Sequence, residues 1–270
     1  MADPFSYVGG IDFSGAKEPL GNLWTAVGRE ESGKLLILSV RPHAFRADLA
    51  TFVTDGWRSA AGAGADEHIL WGVNFACGVP AAAARHLVGE SVDWRGLLAW
   101  VADRPADEIR NALPDELRTP RLTDTGVGVP PFDMRLYRQT VEGLRWLHEL
   151  REEAQVSVAP HAVDSDPRTL LIEVSPAATT IDLGLPRRRA PGRPGEVRAR
   201  AAALRTFLTF ADPGCESLAV TLEDAWDATI GCLTAWLARD DLDQPFRVTH
   251  HSRDALRLEG WIYRPPAALG

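Results

Sequence analysis

Four acidic residues stand at positions where a fold could bring them together to do chemistry. Asp12 ends an apolar run of strand type and is followed by a Ser-Gly turn signal. Glu173 lies near the end of a second apolar run. Asp224 and Asp227 are three residues apart, so they share one face of a predicted helix. Because such a helix can cross the strand ends, we predict that these four residues form a catalytic carboxylate cluster.

A carboxylate cluster of this kind favours a hard cation. Carboxylates ~4 Å apart repel by ~4 kcal/mol at an effective dielectric of about 20. Oxygen ligands without nearby His or Cys suit Mg²⁺ or Mn²⁺ rather than zinc, and phosphoryl transfer is the chemistry that most often uses such sites. We predict metal ligation by Asp12, Glu173 and Asp227, with Asp224 catalytic beside them. Structural roles remain as alternatives, because Asp12 could cap its turn and Thr221 with Asp224 fits a capping box.

Basic residues are concentrated between Arg187 and Arg205, although the chain as a whole has a net charge of -8 and a pI of about 5.4. Proteins that coat nucleic acid non-specifically usually show the opposite balance, so any contact with a polyanion must be local. A small or structured nucleic acid is therefore the expected partner. A solvated loop and helix face is the alternative interpretation of the arginine-rich stretch. The candidate substrate-binding residues are Lys17, Asn74, Arg187, Arg188 and Arg198.

The elements that must position these residues follow an α/β order. The opening strand is followed by strand patterns at Leu23–Val27 and Lys34–Val40, which predicts an antiparallel meander of three. A helix over Arg46–Ala61 and a buried strand over Ile69–Phe75 then imply parallel pairs in the same sheet. Further helices are predicted over Asp133–Glu153, Glu196–Phe210 and Thr221–Ala238, and further strands over Thr169–Val174 and Leu258–Tyr263.

The length of 270 residues and the 45% hydrophobic content are enough for a full core. We predict one domain over residues 1–270, with an inserted, partly irregular segment at about 89–132 of the kind that often covers an active site. No apolar run approaches the ~20 residues that cross a bilayer, and the N-terminus lacks the order of a signal peptide. Cys77, Cys215 and Cys232 show no Cys-x-x-Cys spacing, which favours a reducing compartment. A cytoplasmic protein without a membrane partner is expected.

Four short motifs occur in a recognisable order along the chain. They are Gly-Ile-Asp-x-Ser-Gly at Gly10 to Gly15, Glu-Val-x-Pro-Ala at Glu173 to Ala177, Asp-Ala-x-Asp-Ala at Asp224 to Ala228, and Glu-Gly-Trp-Ile at Glu259 to Ile262. Together they resemble the predicted RNase H-like nuclease family of bacteria, catalogued as domain of unknown function 429. The segment Arg135 to Thr140 is similar to that family as well. The likeness spans nearly the whole chain, and its specificity comes from the order and spacing of the motifs.

The resemblance implies an RNase H-like mixed sheet, in which three antiparallel strands are followed by parallel strands and flanked by helices. The paired Asp motif is similar to that of Holliday-junction resolvases of this fold. The likeness therefore implies that Asp12, Asp224 and Asp227 are metal ligands, that Glu173 is a fourth acid, and that the protein is a nuclease dependent on Mg²⁺ or Mn²⁺. The chain departs from the family at Asn74, where the family usually places Asp on the fourth strand.

Three functions follow from these observations. The first is a metal-dependent phosphodiesterase, a predicted nuclease. The second is a non-catalytic RNase H-like binding module whose metal site is degraded at Asn74. The third is an ATP-dependent kinase of the actin-like fold, because those proteins also begin Gly-Ile-Asp-x-Ser/Gly. That fold needs a second, glycine-rich phosphate turn, but Asp164 to Pro167 has no glycine and no P-loop pattern occurs. The phosphodiesterase is the preferred prediction.

Overall fold

The computed structural model of the protein describes residues 5–124, 129–186, 194–248 and 253–266. In these residues an eight-stranded sheet carries helices on both faces. The strands are β1 Tyr7–Asp12, β2 Leu23–Glu31, β3 Lys34–His43, β4 Ile69–Val73, β5 Ser157–Ala159, β6 Thr169–Val174, β7 Leu208–Phe210 and β8 Ile262–Tyr263.

The helices surround this sheet and occupy most of the intervening chain. They are α1 Arg46–Thr51, α2 Trp57–Ala61, α3 Ala81–Val88, α4 Trp94–Ala102, α5 Ala106–Ala112, α6 Tyr137–Ala154, α7 Pro176–Asp182, α8 Pro194–Leu204, α9 Pro213–Thr221, α10 Glu223–Ala238, α11 Gln244–Val248 and α12 Arg253–Glu259. A π-helical turn at Phe52–Gly56 joins α1 to α2, so the helix predicted over Arg46–Ala61 is confirmed as a nearly continuous one. No helix in the described part of the chain is both long and apolar enough to cross a membrane.

The strand order is β5-β6-β4-β1-β2-β3-β7, with β8 pairing to the end of β6. Strands β1, β2 and β3 form an antiparallel meander, whereas β4, β6, β5, β7 and β8 pair in parallel with their neighbours. The predicted α/β class and the mixed sheet flanked by helices are therefore confirmed. The carboxyl ends of β1, β4 and β6 meet at one edge of the sheet.

Two short segments differ from the sequence-based expectation. The helix predicted to Phe210 ends at Leu204, and Leu208–Phe210 instead form β7 against the edge strand β3. The predicted strand over Leu258–Tyr263 is the end of α12 followed by the two-residue β8. Strands of two or three residues are too short to show an alternating pattern in the sequence. They are extended because they pair with a neighbouring strand, which is a tertiary contact.

The inserted segment contains more regular structure than its composition indicates. It contains α4 from Trp94 to Ala102, and α5 and a 3₁₀ turn at Asp115–Leu117 follow. Residues 118–124 are irregular, and the structure fixes them through Arg121, which is buried. The next described residues lead into α6, whose first turn reaches the carboxyl end of β1.

The two faces of the sheet have separate apolar cores, and strand alternation sorts residues between them. Ile11 and Val73 face the core that includes α1, α2, α4 and α6. Val8 and Leu70 face the core that includes α10. Because successive side chains of a strand point to opposite faces, Asp12 at the end of β1 lies on the α10 face.

Glycine lets α10 approach the sheet closely at β1. A Cβ atom built on Gly10 would lie 2.0 Å from the carbonyl oxygen of Ala228 and 2.2 Å from the backbone nitrogen of Cys232. A second close approach occurs at Gly72 of β4, where a Cβ would lie 2.6 Å from the carbonyl oxygen of Gly231. The backbone of α10 therefore packs directly against the backbones of β1 and β4. This packing places the first turns of α10 near the end of β1, where Asp12 lies.

We expect Gly10→Ala to lower the free energy of unfolding by at least ~1–3 kcal/mol, since the new methyl group overlaps the backbone of α10 and must displace it. Chemical denaturation of the purified variant measures this. Gly195→Ala in α8 is the matched control, because a Cβ there meets nothing within 4 Å. Equal stability of the two variants would show that the close approach of α10 to β1 is not a constraint on the fold.

Candidate active site

An open cleft of about 560 Å³ lies at the carboxyl end of β1. Asp12 forms its floor, and the first turns of α10 contribute Asp224 and Asp227. The opposite wall consists of residues before and within the first turn of α6, namely Arg135, Arg138 and Gln139, and the remaining lining residues are Phe13, Ser14, Gly15, Ala16 and Asn22. The structure therefore brings three of the four predicted acids into one cleft.

Asn74 stands beside Asp12 on the neighbouring strand end. Its side-chain Nδ2 donates a hydrogen bond of 2.9 Å to Oδ1 of Asp12, and its backbone N–H donates to the carbonyl of Ile11 at 3.0 Å. The amide of Asn74 thus contacts the cluster and orients the carboxylate of Asp12. An aspartate at this position would place a second negative charge directly against Oδ1.

The electrostatic environment of Asp12 opposes its ionisation. Burial raises the pKa of Asp12 well above its usual value, and the negative charge of Asp227 raises it further. The hydrogen bond from Asn74 lowers this pKa, and the charge of Asp224 adds a smaller upward contribution. The net shift of the Asp12 pKa is upward, so a cation bound at this position would lower the free energy of the ionised carboxylate.

Asp224 does not have the capping role that its spacing from Thr221 allowed. The N-cap residue of α10 is Leu222, which supplies no side-chain hydrogen bond. Thr221 belongs to the preceding helix α9 and donates its hydroxyl to the carbonyl of Ser217 at 2.6 Å. The capping-box interpretation is therefore wrong, and Asp224 lines the cleft in the first turn of α10.

Glu173 is not among the residues that line the cleft, although it is the penultimate residue of β6, which lies only two strands from β1 in the sheet. Val73 pairs with both Ile11 and Glu173, so all three side chains point to the face opposite Asp12. On the α10 face, the residue of β6 level with Asn74 is Val174. A shift of one residue along a strand reverses the side-chain direction. Because the apolar run is unbroken, the sequence did not show which face of the sheet Glu173 occupies.

The carboxylate of Glu173 is instead part of a buried ion network. It accepts a hydrogen bond from the backbone N–H of Cys77 at 2.9 Å and forms an ion pair with Arg121. The guanidinium of Arg121 also binds Asp124 at 2.8 Å and the carbonyl of Glu259 at 3.1 Å. The negative charge of Glu173 raises the pKa of Arg121 above its usual value against the effect of burial. This network attaches the irregular segment before residue 125 to the end of β6.

The predicted basic contacts lie outside the cleft lining. Lys17 and Arg198 are both exposed, and neither lines the cleft. Arg187 and Arg188 fall outside the described residues. Two neighbours in the arginine-rich stretch have structural partners, because Arg200 forms an ion pair with Glu223 at 2.8 Å and Arg205 pairs with Glu216 at 2.8 Å.

Arg135, Arg138 and Gln139 were not predicted as site residues. The two arginines are three residues apart and largely exposed, with 78% and 58% of their side-chain areas accessible. Their spacing at the start of a predicted helix was a usable signal, but only the packing of α6 against the end of β1 shows that the helix begins at the cleft.

The donor chemistry of the cleft fits a hard divalent cation, since three carboxylates and no His or Cys line it. Across residues 5–124, 129–186, 194–248 and 253–266, however, no three His, Cys, Asp or Glu side chains are grouped closely enough to hold one metal ion. The residues therefore fit Mg²⁺ or Mn²⁺ in ligand type and charge, whereas a complete coordination sphere is not preformed.

Comparisons of the chain with protein-family models, with curated proteins and with solved structures find no match. The fold and the cleft define the class of the protein as α/β, with a mixed sheet and an acidic cleft at the end of its first strand. The resemblance to the RNase H-like nuclease family stays a prediction.

We expect the stability of the metal-free protein to fall as pH rises through the pKa of Asp12. Because the folded-state pKa is raised, the folded form retains a proton that the unfolded chain has lost. The free energy of unfolding should therefore decrease by up to about 1.4 kcal/mol per pH unit in the interval between the two pKa values. Denaturation in EDTA across the pH range measures this, and Asp12→Asn should lose the dependence.

Asp66→Asn is the control for that series, since the Asp66 side chain is 98% exposed. It should retain the pH dependence of the wild-type protein. If Asp12→Asn and the wild type change in parallel with pH, the carboxylate of Asp12 does not have the environment described here.

We expect Glu173→Gln to destabilise the protein by about 1–3 kcal/mol without weakening divalent-ion binding. The neutral amide leaves the buried guanidinium of Arg121 short of negative charge, although Asp124 remains. Denaturation and Mn²⁺ titration of the same sample separate the two effects. Glu90→Gln, on an exposed residue, should change neither. Loss of Mn²⁺ affinity in a folded Glu173→Gln variant would restore Glu173 as a metal ligand.

Proposed function

We propose that the cleft at the end of β1 binds Mg²⁺ or Mn²⁺ and hydrolyses phosphodiester bonds in nucleic acid. The observation that supports this proposal is the placement of Asp12, Asp224 and Asp227 on one side of a cleft with Arg135 and Arg138 on the other. Oxygen ligands for a hard cation and guanidinium groups for a phosphate are the two requirements of metal-assisted phosphoryl transfer.

Each group in the cleft has a role that follows from its chemistry. Asp12 and Asp227 would hold the cation, and Asp224 would share this task from the same face of α10. Asn74 fixes the orientation of the Asp12 carboxylate through its hydrogen bond. Arg135 and Arg138 pair with Asp133 at 3.2 Å and with Asp107 at 3.0 Å, and their exposed guanidinium groups would attract the phosphate. A bound divalent ion supplies the positive charge that polarises a phosphoryl oxygen and makes a water molecule more acidic.

The finer fold assignment belongs to the same proposal. An RNase H-like relationship is supported by the three antiparallel strands that precede the parallel ones and by the acid at the end of β1. The nucleic acid is expected to be small or structured, because the net charge of -8 disfavours long-range attraction to a polyanion. A cytoplasmic location is part of this proposal, and the cysteine pattern supports it.

One observation favours a second candidate, the non-catalytic binding module. In the described part of the chain no three ligands converge on one point, and the uncharged Asn74 occupies the strand position next to Asp12. Such a protein would bind nucleic acid at the cleft and neither need a metal ion nor cleave its ligand. The two candidates therefore differ in metal dependence as well as in catalysis.

The test is a series of thermal melts with increasing Mn²⁺, followed by incubation with short labelled oligonucleotides. Selective binding to the folded state stabilises by ~2.7 kcal/mol when the free ion is at 100 times its Kd, so the wild-type melting temperature should rise. Asp12→Asn and Asp227→Asn should fold, lose this rise and show no cleavage. A wild-type melt that is independent of Mg²⁺ and Mn²⁺ contradicts the metal site and leaves the binding module.

The contribution of Arg135 and Arg138 to phosphate binding is tested with Arg135→Ala and Arg138→Ala. Each should weaken oligonucleotide binding and reduce the slope of log affinity against log salt by ~0.7–0.9 per lost phosphate contact, with unchanged Mn²⁺ affinity. Arg168→Ala is the matched control, because Arg168 precedes β6 at the opposite end of the strands and its side chain is 66% exposed. An identical slope in all three variants would show that Arg135 and Arg138 do not contact the phosphates of the ligand.

A further inference from the structure

Strands β1 and β4 separate at the point where the cleft begins. Their parallel ladder extends to the pair Ile11 and Val73, and the last backbone bond runs from the N–H of Asn74 to the carbonyl of Ile11 at 3.0 Å. Beyond it, the carbonyl groups of Phe13 and Asn74 have no partner strand between them. Beyond this last bond, the ladder does not set the spacing of Asp12 and Asn74.

The side chain of Gln139 occupies this gap. Its Nε2 donates one hydrogen bond to the carbonyl of Phe13 at 2.6 Å and another to the carbonyl of Asn74 at 3.0 Å. One amide group thus uses both of its hydrogens to join the two strand ends. These carbonyls belong to Asn74 itself and to the residue that follows Asp12, so the bridge acts on Asp12, which lines the cleft, and on the residue hydrogen-bonded to it.

The backbone of α6 is held in place for this contact. A Cβ on Gly15 would lie 2.3 Å from the backbone nitrogen of Gln139 and 2.4 Å from its Cα, so the turn after β1 packs directly on the first turn of α6. On the other side of this turn, Arg46 donates to the carbonyls of Ser14 at 2.9 Å and Ala16 at 2.6 Å. The backbone of Gln139 therefore cannot move away from the strand ends without moving the turn.

We infer that Gln139 is a positioning residue that sets the separation of Asp12 and Asn74 and thereby the metal affinity of the cleft. The inference rests on the proposed function, and it assigns Gln139 no contact with the reacting groups. Partners that orient metal ligands typically change metal affinity by ~10–100-fold when they are removed. The same range is expected here, because without the bridge the hydrogen bond from Asn74 to Asp12 is no longer held at its observed geometry.

The test uses Gln139→Met, which keeps the length of the side chain and removes both donors. Two quantities are measured, the Kd for Mn²⁺ and the NMR signals of the Asn74 side-chain amide in the metal-free protein. We expect a ~10–100-fold weaker Mn²⁺ affinity. We also expect faster hydrogen exchange at the Asn74 amide, since its bond to Asp12 is loosened.

Thr140→Val provides the matched control. Thr140 is the next residue of α6, is buried, and donates one side-chain hydrogen bond to the carbonyl of Pro131 at 2.9 Å rather than to a strand-end carbonyl. This variant should lose stability to a similar extent and keep both wild-type readouts. If Gln139→Met changes only the melting temperature, as Thr140→Val does, Gln139 has a structural role alone and the inference is overturned.

The metal-free readout separates this inference from the proposed function. If the wild-type protein binds no Mn²⁺, the proposed function fails, while the Asn74 amide signals still report whether Gln139 fixes the strand ends. Unchanged Asn74 exchange in Gln139→Met overturns the positioning role whatever the metal result. Faster exchange of the Asn74 side-chain amide in Gln139→Met, with the wild-type rate kept in Thr140→Val, supports the positioning role.

Discussion

The close approach of α10 to β1 determines where the cleft forms. With no Cβ at Gly10, the helix backbone at Ala228 and Cys232 lies directly on the strand. A helix held at this distance brings its first turns over the end of β1, and the acids of α10 reach Asp12 as a consequence. The cleft is therefore a result of backbone packing, and any larger side chain on β1 at that point would move its walls apart.

Two acidic clusters at the same sheet edge illustrate how differently buried charge can be accommodated. The carboxylate of Glu173 has a guanidinium and a backbone N–H as partners, which satisfies the requirement that a buried ion be paired. Asp12 has an amide donor from Asn74 and the negative charges of α10 nearby, and its pKa rises. The first cluster is complete within the protein and stabilises the fold. In the second, burial and the nearby charge of Asp227 favour the protonated form of Asp12, and a bound cation would favour its ionised form.

The sheet edge also shows how a cleft arises from a change of strand direction. β1 pairs antiparallel with β2 on one side and parallel with β4 on the other, and its carboxyl end is where the chain leaves toward the turn at Gly15. Crevices of this kind are where open α/β sheets usually bind their ligands. Here the first turn of α6 fills part of the crevice, and it brings guanidinium groups to a site whose other charges are negative.

Local periodicity and the residues that end a strand were enough to predict the α/β class, the antiparallel meander and the position of Asp12 at a strand end. The sequence also placed Asp224 and Asp227 on one helix face, since a spacing of three fixes that relation. Only the tertiary structure decided which acids meet. The strand register turned Glu173 to the opposite face, where Arg121 from a distant irregular segment neutralises it. The sheet face that a side chain occupies and its long-range ion pairs are properties of the assembled sheet, and no local pattern in the chain encodes them.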